Sequence, residues 1–360
     1  DPELANLIRI AAMAFLLAPV STPLLALLRR DMRFGQVAII NAVAGLGNSL
    51  ISIGLALAGF GAMRLVIGSV AAAVITATGA LMFRPDWWLF KPSLTGWRRV
   101  APFGVWSSIV TLLGMAFDAL PRLVLGRIIG FGAVVLYARA VSLAQLPERL
   151  ILSAVQPVLL PALSSQSREA GALGPSFLMG LSYVSGLHWP ALAMIALLAD
   201  PVVRVVLGDQ WLAVIPLVRI VALSMVCLCP LYLCYPTLVA LGRIKDMALA
   251  MALALPPCFI IMLLASRIGL EAMALSLFLT GPVQAVVLVA ALRRHAPFDL
   301  GDLALRLAHS TGVTLATVTL PVGFLWLGGD WASPGFWTTG LAVLGAVPGW
   351  LVGVIVLSHP

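Results

Sequence analysis

Charged residues are scarce in this sequence. Lysine, arginine, aspartate and glutamate make up 10% of its 360 residues, whereas hydrophobic residues make up 61%. A soluble globular domain carries about 25% charged residues, so this chain has too little polar surface to cover a water-soluble body. The excess apolar surface must face lipid, which predicts an all-α polytopic membrane protein.

Motifs of enzymes and metal sites are also lacking. The sequence has no nucleophile elbow, no H-E-x-x-H, no Walker loop and no acidic cluster suited to a metal. Its cysteines lie in apolar runs without nearby histidines or paired C-x-x-C spacing, which predicts buried small hydrophobic residues rather than zinc ligands. We therefore expect no enzyme activity, no cofactor and no metal. The cysteines are Cys227, Cys229, Cys234 and Cys258.

The formal net charge of +8 does not indicate a nucleic-acid partner, because the basic residues form short clusters between apolar segments. When the connections are assigned to alternate sides, thirteen lysines and arginines fall on one side and four on the other. Positive residues stay on the cytoplasmic side of a membrane. This predicts that residue 1 lies outside and residue 360 inside.

Eleven segments are apolar and long enough to span a membrane, which takes about 20 residues. The fifth contains Pro147, Pro157 and Pro161, so we expect it to be bent or broken. The segments are 5–28, 35–58, 62–83, 101–126, 130–162, 175–199, 213–241, 246–267, 270–293, 305–327 and 337–358.

The stretch LYARAVSLAQLPERLI, residues 136–151, places charges inside an apolar span. Its first arginine lies roughly 14 Å along the span, where insertion costs about 2.5–3.5 kcal/mol. At 100° per residue one face carries Arg139, Ser142, Gln145 and Arg149. Such a face lines a polar cavity or, alternatively, joins helices together with Arg149 paired to Glu148.

Other polar residues inside the spans have two interpretations each. Asp118 and Arg122 are four residues apart, which suits a local ion pair or a functional role. Arg219 lies roughly 9 Å into its span and can also snorkel. His188 lies near mid-span, where it either carries a proton or, in the interpretation we favour, bonds a backbone carbonyl freed by Pro190.

Several quoted stretches together resemble the polysaccharide flippases (O-antigen, exopolysaccharide or colanic-acid type) of the MATE-like superfamily. The resemblance covers most of residues 20–295, and its most specific part is Y-A-R-A followed by L-P and P-A-L-S. The stretches are LLRRDMRF at 27–34, APFGVWSSIVTLLGMAFDALPRLVLGRIIGFGAVVLYARAVSLAQLP at 101–147, VQPVLLPALSS at 155–165, LLADPVVRVVLGDQW at 197–211 and LVALGRIKD at 238–246.

The resemblance implies two helical lobes around a central cavity. Residues 1–83 would be three helices of an N-terminally truncated first lobe, and 84–100 the cytoplasmic loop between lobes. Residues 101–293 would be the six-helix second lobe, followed by two additional helices in 294–360. The first lobe would then be incomplete.

The resemblance also implies a function. Such a protein flips an oligosaccharide repeat unit on undecaprenyl diphosphate across the bacterial cytoplasmic (inner) membrane by alternating access. Arg139 and Arg149 would bind the diphosphate, Ser142 and Gln145 the sugars, and Arg219 would assist. The expected partners are this lipid-linked oligosaccharide, membrane lipids, and possible polymerase and chain-length machinery. Four residues are candidates for ion coupling or pairing: His188, Asp118, Arg122 and Glu148.

Alternative functions stay open at this point. A cation-coupled multidrug exporter of the same superfamily would need acids to attract its substrates, but Asp118 and Glu148 each have an arginine within four residues. An integral-membrane polymerase or glycosyltransferase usually has a long outer loop, and the longest one here is about 200–212. Lipid II flipping is a sister function. Proton, sodium and membrane potential are alternative energy sources.

Overall fold

The computed structural model describes residues 2–61, 63–86, 90–91, 96–151, 173–327 and 336–356. Regular secondary structure in these ranges is helical, and no β-strand occurs in them. Ten helical segments of the described part are long and apolar enough to cross a membrane. The predicted fold class, an all-α polytopic membrane protein, is confirmed.

We number the helices in chain order. In the first part of the chain, α1 is Pro2–Arg30, α2 Phe34–Leu57, α3 Met63–Phe83, α4 Trp97–Ile128 and α5 Phe131–Ala144. Further along, α6 is Leu173–Leu197, α7 Ala199–Val206, α8 Ile215–Met225, α9 Cys229–Ala240 and α10 Ile244–Ser266. The last helices are α11 Leu270–Leu275, α12 Leu277–Arg293, α13 Leu300–Leu327 and α14 Phe336–Val356. Two 3₁₀ turns, Asp209–Val214 and Val226–Leu228, flank α8.

The predicted span 130–162 is described as far as residue 151. It contains α5, a turn at Gln145 and a second helical stretch, residues 146–151. Pro147 accounts for the turn, because it has no amide hydrogen and its ring clashes with the carbonyl one turn back. The predicted break is confirmed at this proline, whereas Pro157 and Pro161 lie outside the described residues.

A second break went unrecognised in the sequence. The predicted span 213–241 is divided by the 3₁₀ turn Val226–Leu228 into α8 and α9. Pro230 lies just inside α9 and cannot donate to the carbonyl of Val226, so the chain tightens before the second helix begins. This break places the end of α8 beside the cavity described below.

The chain divides into two compact units, residues 1–96 and 97–360. In the first, unit 1, α3 packs against both α1 and α2. At the end of α3, Arg84 pairs with Asp31 and Asp86. The main buried apolar cluster of unit 1 contains Leu24, Leu28, Val37, Ile40 and Ala80.

Unit 2 contains α4–α14 and two large apolar clusters. One is formed mainly by α6, α9, α10 and α12, and the other mainly by α5, α7 and α8. Between them, these clusters fix the helices that surround the cavity. The assignment of residues 101–293 to a second lobe stays a prediction.

The last two helices pack on each other and on α6. A Cβ added at Gly349 of α14 would lie 2.6 Å from the carbonyl oxygen of Ala316 on α13, so the two backbones approach closely there. Trp350 donates a hydrogen bond from Nε1 to the carbonyl of Gly186 on α6, at 2.8 Å. Pro190 cannot donate to that carbonyl, which leaves it free for the tryptophan.

Candidate functional site

Unit 2 encloses a cavity of about 310 Å³. Residues of α4, α5, α8, α10 and α12 line it, together with the segment that follows α5. Its wall combines apolar side chains with a concentrated set of polar ones. The charged and amide members are Asp118, Arg122, Gln145, Arg149 and Gln284, and the hydroxyl members are Tyr137, Ser224 and Thr280.

Asp118 and Arg122 reach the cavity from one face of α4, because residues four apart lie one above the other on a helix. Of their two interpretations, the local ion pair is not formed: their charged atoms are not paired in the described part of the chain, where every salt bridge has other partners. Pro121, between them in sequence, also lines the wall. Both charges are therefore available to a ligand.

Gln145 and Arg149 line the cavity from the end of α5 and the stretch that follows it. The break at Pro147 lets the turn carry Gln145 and the following helical stretch carry Arg149. A nitrogen of Arg149, Nη2, donates a hydrogen bond to Oε1 of Gln145 at 3.2 Å. The amide orients the guanidinium without neutralising it.

The predicted polar face of residues 139–149 is split in the structure. Arg139 places its guanidinium over the ring of Trp211, 5.2 Å from the centroid. Ser142 donates to the carbonyl of Ala138 in its own helix at 2.8 Å. Neither residue is among those that line the cavity.

A charged cluster holds the turn that carries Trp211. Arg204 donates to Asp200 from Nε at 2.9 Å and to Asp209 from Nη1 at 2.8 Å. These hydrogen bonds, first to Asp200 and then to Asp209, raise the pKa of Arg204, so it stays charged. Because Asp200 is buried, its charge needs this partner. The cluster therefore holds Trp211 in the position where its ring lies under the guanidinium of Arg139.

Arg219 is exposed on α8 and does not line the cavity. Four polar wall residues were missed in the sequence. Tyr137 and Ser224 share helices with predicted site residues, whereas Thr280 and Gln284 lie on α12, where no site was predicted.

Gln284 had a readable signal, because an amide inside the apolar span 270–293 is rare unless it faces protein or a cavity. Periodicity gives no comparable signal for the short hydroxyl side chains, which are common inside helices. Ser224 donates to the carbonyl of Val221, whereas the buried Oγ1 of Thr280 has no hydrogen-bond partner among the described residues.

Glu148 does not pair with Arg149, contrary to one of the two interpretations of the sequence. The guanidinium of Arg149 donates instead to Gln145, from Nη2 to Oε1. Of these two consecutive residues, Arg149 lines the cavity and Glu148 is not among the lining residues.

His188 is 1% exposed and lies on α6 beside Tyr232. The favoured interpretation, a hydrogen bond to a carbonyl freed by Pro190, is wrong. That carbonyl, of Gly186, accepts from Trp350. Within the described part of the chain, neither ring nitrogen of His188 has a hydrogen-bond partner.

The cysteines are free, and three of the four are buried; Cys227 is partly accessible. Across the described ranges, no three His, Cys, Asp or Glu side chains come together in a way that could hold a metal. The polar chemistry of the cavity is therefore that of two guanidinium groups, one carboxylate, amides and hydroxyls.

Comparison with known proteins places the chain in a family. Residues 1–216 match the family described as polysaccharide biosynthesis protein, and the chain belongs to this family. It is 27% identical over 225 residues to the lipopolysaccharide biosynthesis protein WzxC of Escherichia coli (strain K12), covering 61% of this chain and 45% of that protein. The resemblance to polysaccharide flippases is thereby confirmed.

Two further relatives extend the comparison. The chain is 26% identical over 231 residues to the teichuronic acid biosynthesis protein TuaB of Bacillus subtilis (strain 168), covering 61% of the chain and 46% of the relative. It is 25% identical over 245 residues to the succinoglycan biosynthesis transport protein ExoT of Rhizobium meliloti (strain 1021), covering 67% of the chain and 49% of the relative. The chain spans about half the length of these relatives.

Proposed function

We propose that the protein flips an oligosaccharide repeat unit on undecaprenyl diphosphate from the inner to the outer leaflet of the bacterial cytoplasmic membrane. The observation that carries this proposal is the charge of the cavity. Arg122 and Arg149 face it against Asp118, so its charged wall residues sum to one positive charge. An anion is the ligand that such a wall favours.

The chemistry of the substrate matches this wall. A diphosphate crossing a bilayer loses its water and needs donors in exchange, and a guanidinium offers two parallel hydrogen bonds to phosphate oxygens. Gln145 and Gln284 provide amide donors and acceptors for sugar hydroxyls. Ligand sites have volumes of about 300–1,000 Å³, so this cavity suits a diphosphate with the adjoining sugar. Arg139, Ser142 and Arg219 lie outside this site.

Alternating access would expose the cavity first to the cytoplasmic and then to the outer side. In this proposal residues 1–83 are the remainder of one lobe, 84–100 the connecting loop, 101–293 the second lobe and 294–360 two additional helices. The expected partners are the lipid-linked oligosaccharide, membrane lipids, and polymerase and chain-length machinery.

A transporter is supported over an enzyme by the Rhizobium relative, whose name includes transport. The competing function is a multidrug exporter, which takes cations. The two arginines in the wall oppose cation entry, and this favours the flippase.

The test is depletion of the gene in its source cell, followed by mass spectrometry of extracted lipids. We expect one finished repeat unit to accumulate on undecaprenyl diphosphate while surface polysaccharide is lost, and restoring the gene should reverse both. No accumulation, together with new sensitivity to cationic drugs, would favour the exporter instead.

A further inference from the structure

Two cations and two tryptophans meet along one side of α4, outside the cavity described above. At the start of α4, the guanidinium of Arg98 lies over the ring of Trp97, 5.9 Å from its centroid. Further along the helix, the ammonium group of Lys245, on α10, lies over the ring of Trp106, 5.6 Å from its centroid. A cation is attracted to the face of an aromatic ring but keeps its charge. The two pairs therefore hold two positive charges beside α4.

An open groove with a volume of about 540 Å³ includes both tryptophans in its lining. All of its lining residues belong to the first part of α4, and they repeat at a spacing of four, which places them on one side of the helix. Trp97 and Val105 are each 57% exposed, so the groove presents apolar surface to its surroundings. The lining residues are Trp97, Arg98, Ala101, Pro102, Val105 and Trp106.

The positive charges at the groove have no acid partner. Arg98 and Lys245 are exposed, and every salt bridge in the described part of the chain is formed by other residues. The acid next to Lys245 in sequence, Asp246, pairs with His295 at 2.9 Å. A partner that complements this groove is therefore an anion that also has an apolar portion.

The lengths of the helices indicate how deep in the membrane the groove lies. The helix α10 has 23 residues, and at about 1.5 Å per residue it matches a hydrocarbon core of roughly 30 Å. Lys245 is its second residue, so it lies near one boundary of that core. Because Lys245 meets Trp106, the turns of α4 that precede Trp106 extend past this boundary. The groove thus lies at the level of the phospholipid head groups.

We propose that this groove binds an anionic phospholipid of the surrounding bilayer. The lipid phosphate lies between Arg98 and Lys245, and the glycerol backbone lies against Pro102 and Val105. Basic residues at the membrane boundary attract anionic lipids, and tryptophan rings suit the head-group level. A zwitterionic phospholipid carries its own cation, which the two basic side chains repel. The bound lipid joins α4 to α10, and this inference does not rest on the proposed function.

The test is native mass spectrometry of the purified protein with added phosphatidylglycerol or phosphatidylethanolamine. We expect the first phosphatidylglycerol to bind more tightly than phosphatidylethanolamine. Each basic residue near a membrane surface contributes about fivefold to such binding, so the groove variant, Arg98→Gln/Lys245→Gln, should bind phosphatidylglycerol about 25-fold more weakly.

The matched control variant is Arg127→Gln/Arg219→Gln. It removes the same charge from two exposed positions of unit 2, one of them at the other end of α4. We expect it to bind phosphatidylglycerol as the wild type does, because neither residue lines the groove.

Three results would overturn the proposal. The first is a groove variant that binds phosphatidylglycerol no more weakly than the control variant. The second is equal affinity of the wild type for the two phospholipids. The third is a preference for undecaprenyl phosphate over phosphatidylglycerol that the groove variant loses, which would assign the groove to a polyprenyl carrier. Because these measurements involve no transport, they can fail independently of the gene-depletion experiment.

Discussion

The two units differ in where they place polar atoms. Among the residues that the structure describes, all eleven buried polar or charged side chains lie in unit 2, from Ser182 to Thr317. The buried core of unit 1 is apolar, and its ion pairs gather around Arg84, after the end of α3. Burying a polar side chain within the membrane costs free energy, so such side chains are retained mainly where they serve a function.

The difference indicates a division of roles. Helices of unit 1 pack through small and apolar residues, as membrane helices commonly do. Unit 2 uses the same kind of packing for α13 and α14, but adds side-chain hydrogen bonds across α6, such as that of Trp350. It also holds a cavity with charged walls. We therefore expect substitutions of charge to affect transport in unit 2 and to matter little in unit 1.

The largest effect is expected from the double variant Arg122→Ala/Arg149→Ala. Hydrogen bonds to charged groups contribute about 1.5–3 kcal/mol each, so each lost arginine should weaken substrate binding about tenfold to a hundredfold. The measurement is surface polysaccharide in depleted cells that express the variant. Its matched control is Arg64→Ala, an exposed arginine of unit 1, which should restore the polysaccharide. An equal loss of surface polysaccharide in both variants would contradict the different roles of charged residues in the two units.

A smaller effect, on stability, is expected from Gly349→Val. The added side chain meets the α13 backbone, which cannot move aside, and overpacking costs about 1–3 kcal/mol. At Gly79 of unit 1 the obstacle is the side chain of Ile40, so Gly79→Val should cost less. Gly340→Val on α14 meets nothing within 4 Å and is the neutral control. The order of stability of the three variants is measured by thermal unfolding in detergent.

If all three valine variants unfold at the same temperature, close backbone approach does not hold α14. If Gly79→Val is the least stable, the packing of unit 1 is more rigid than its side-chain contacts indicate.

Much of the fold could be predicted from sequence, because composition and apolar length determine which segments cross a membrane. The break at Pro147 was also predictable, since proline acts on its own helix. The pairing of Arg139 with Trp211 was not, because it depends on a turn that Arg204 fixes far along the chain. Helical spacing placed Asp118 and Arg122 on one face correctly. It could not tell that they face a cavity rather than each other.

We propose that Arg149, and not Arg139, binds the anion in unit 2. The most direct measurement is calorimetric titration of the purified protein with inorganic pyrophosphate at fixed, low salt. We predict that Arg149→Gln weakens binding about tenfold or more, by the loss of a charge-assisted hydrogen bond, and that Arg139→Gln leaves it nearly unchanged. Weaker binding in Arg139→Gln with wild-type binding in Arg149→Gln would contradict the claim.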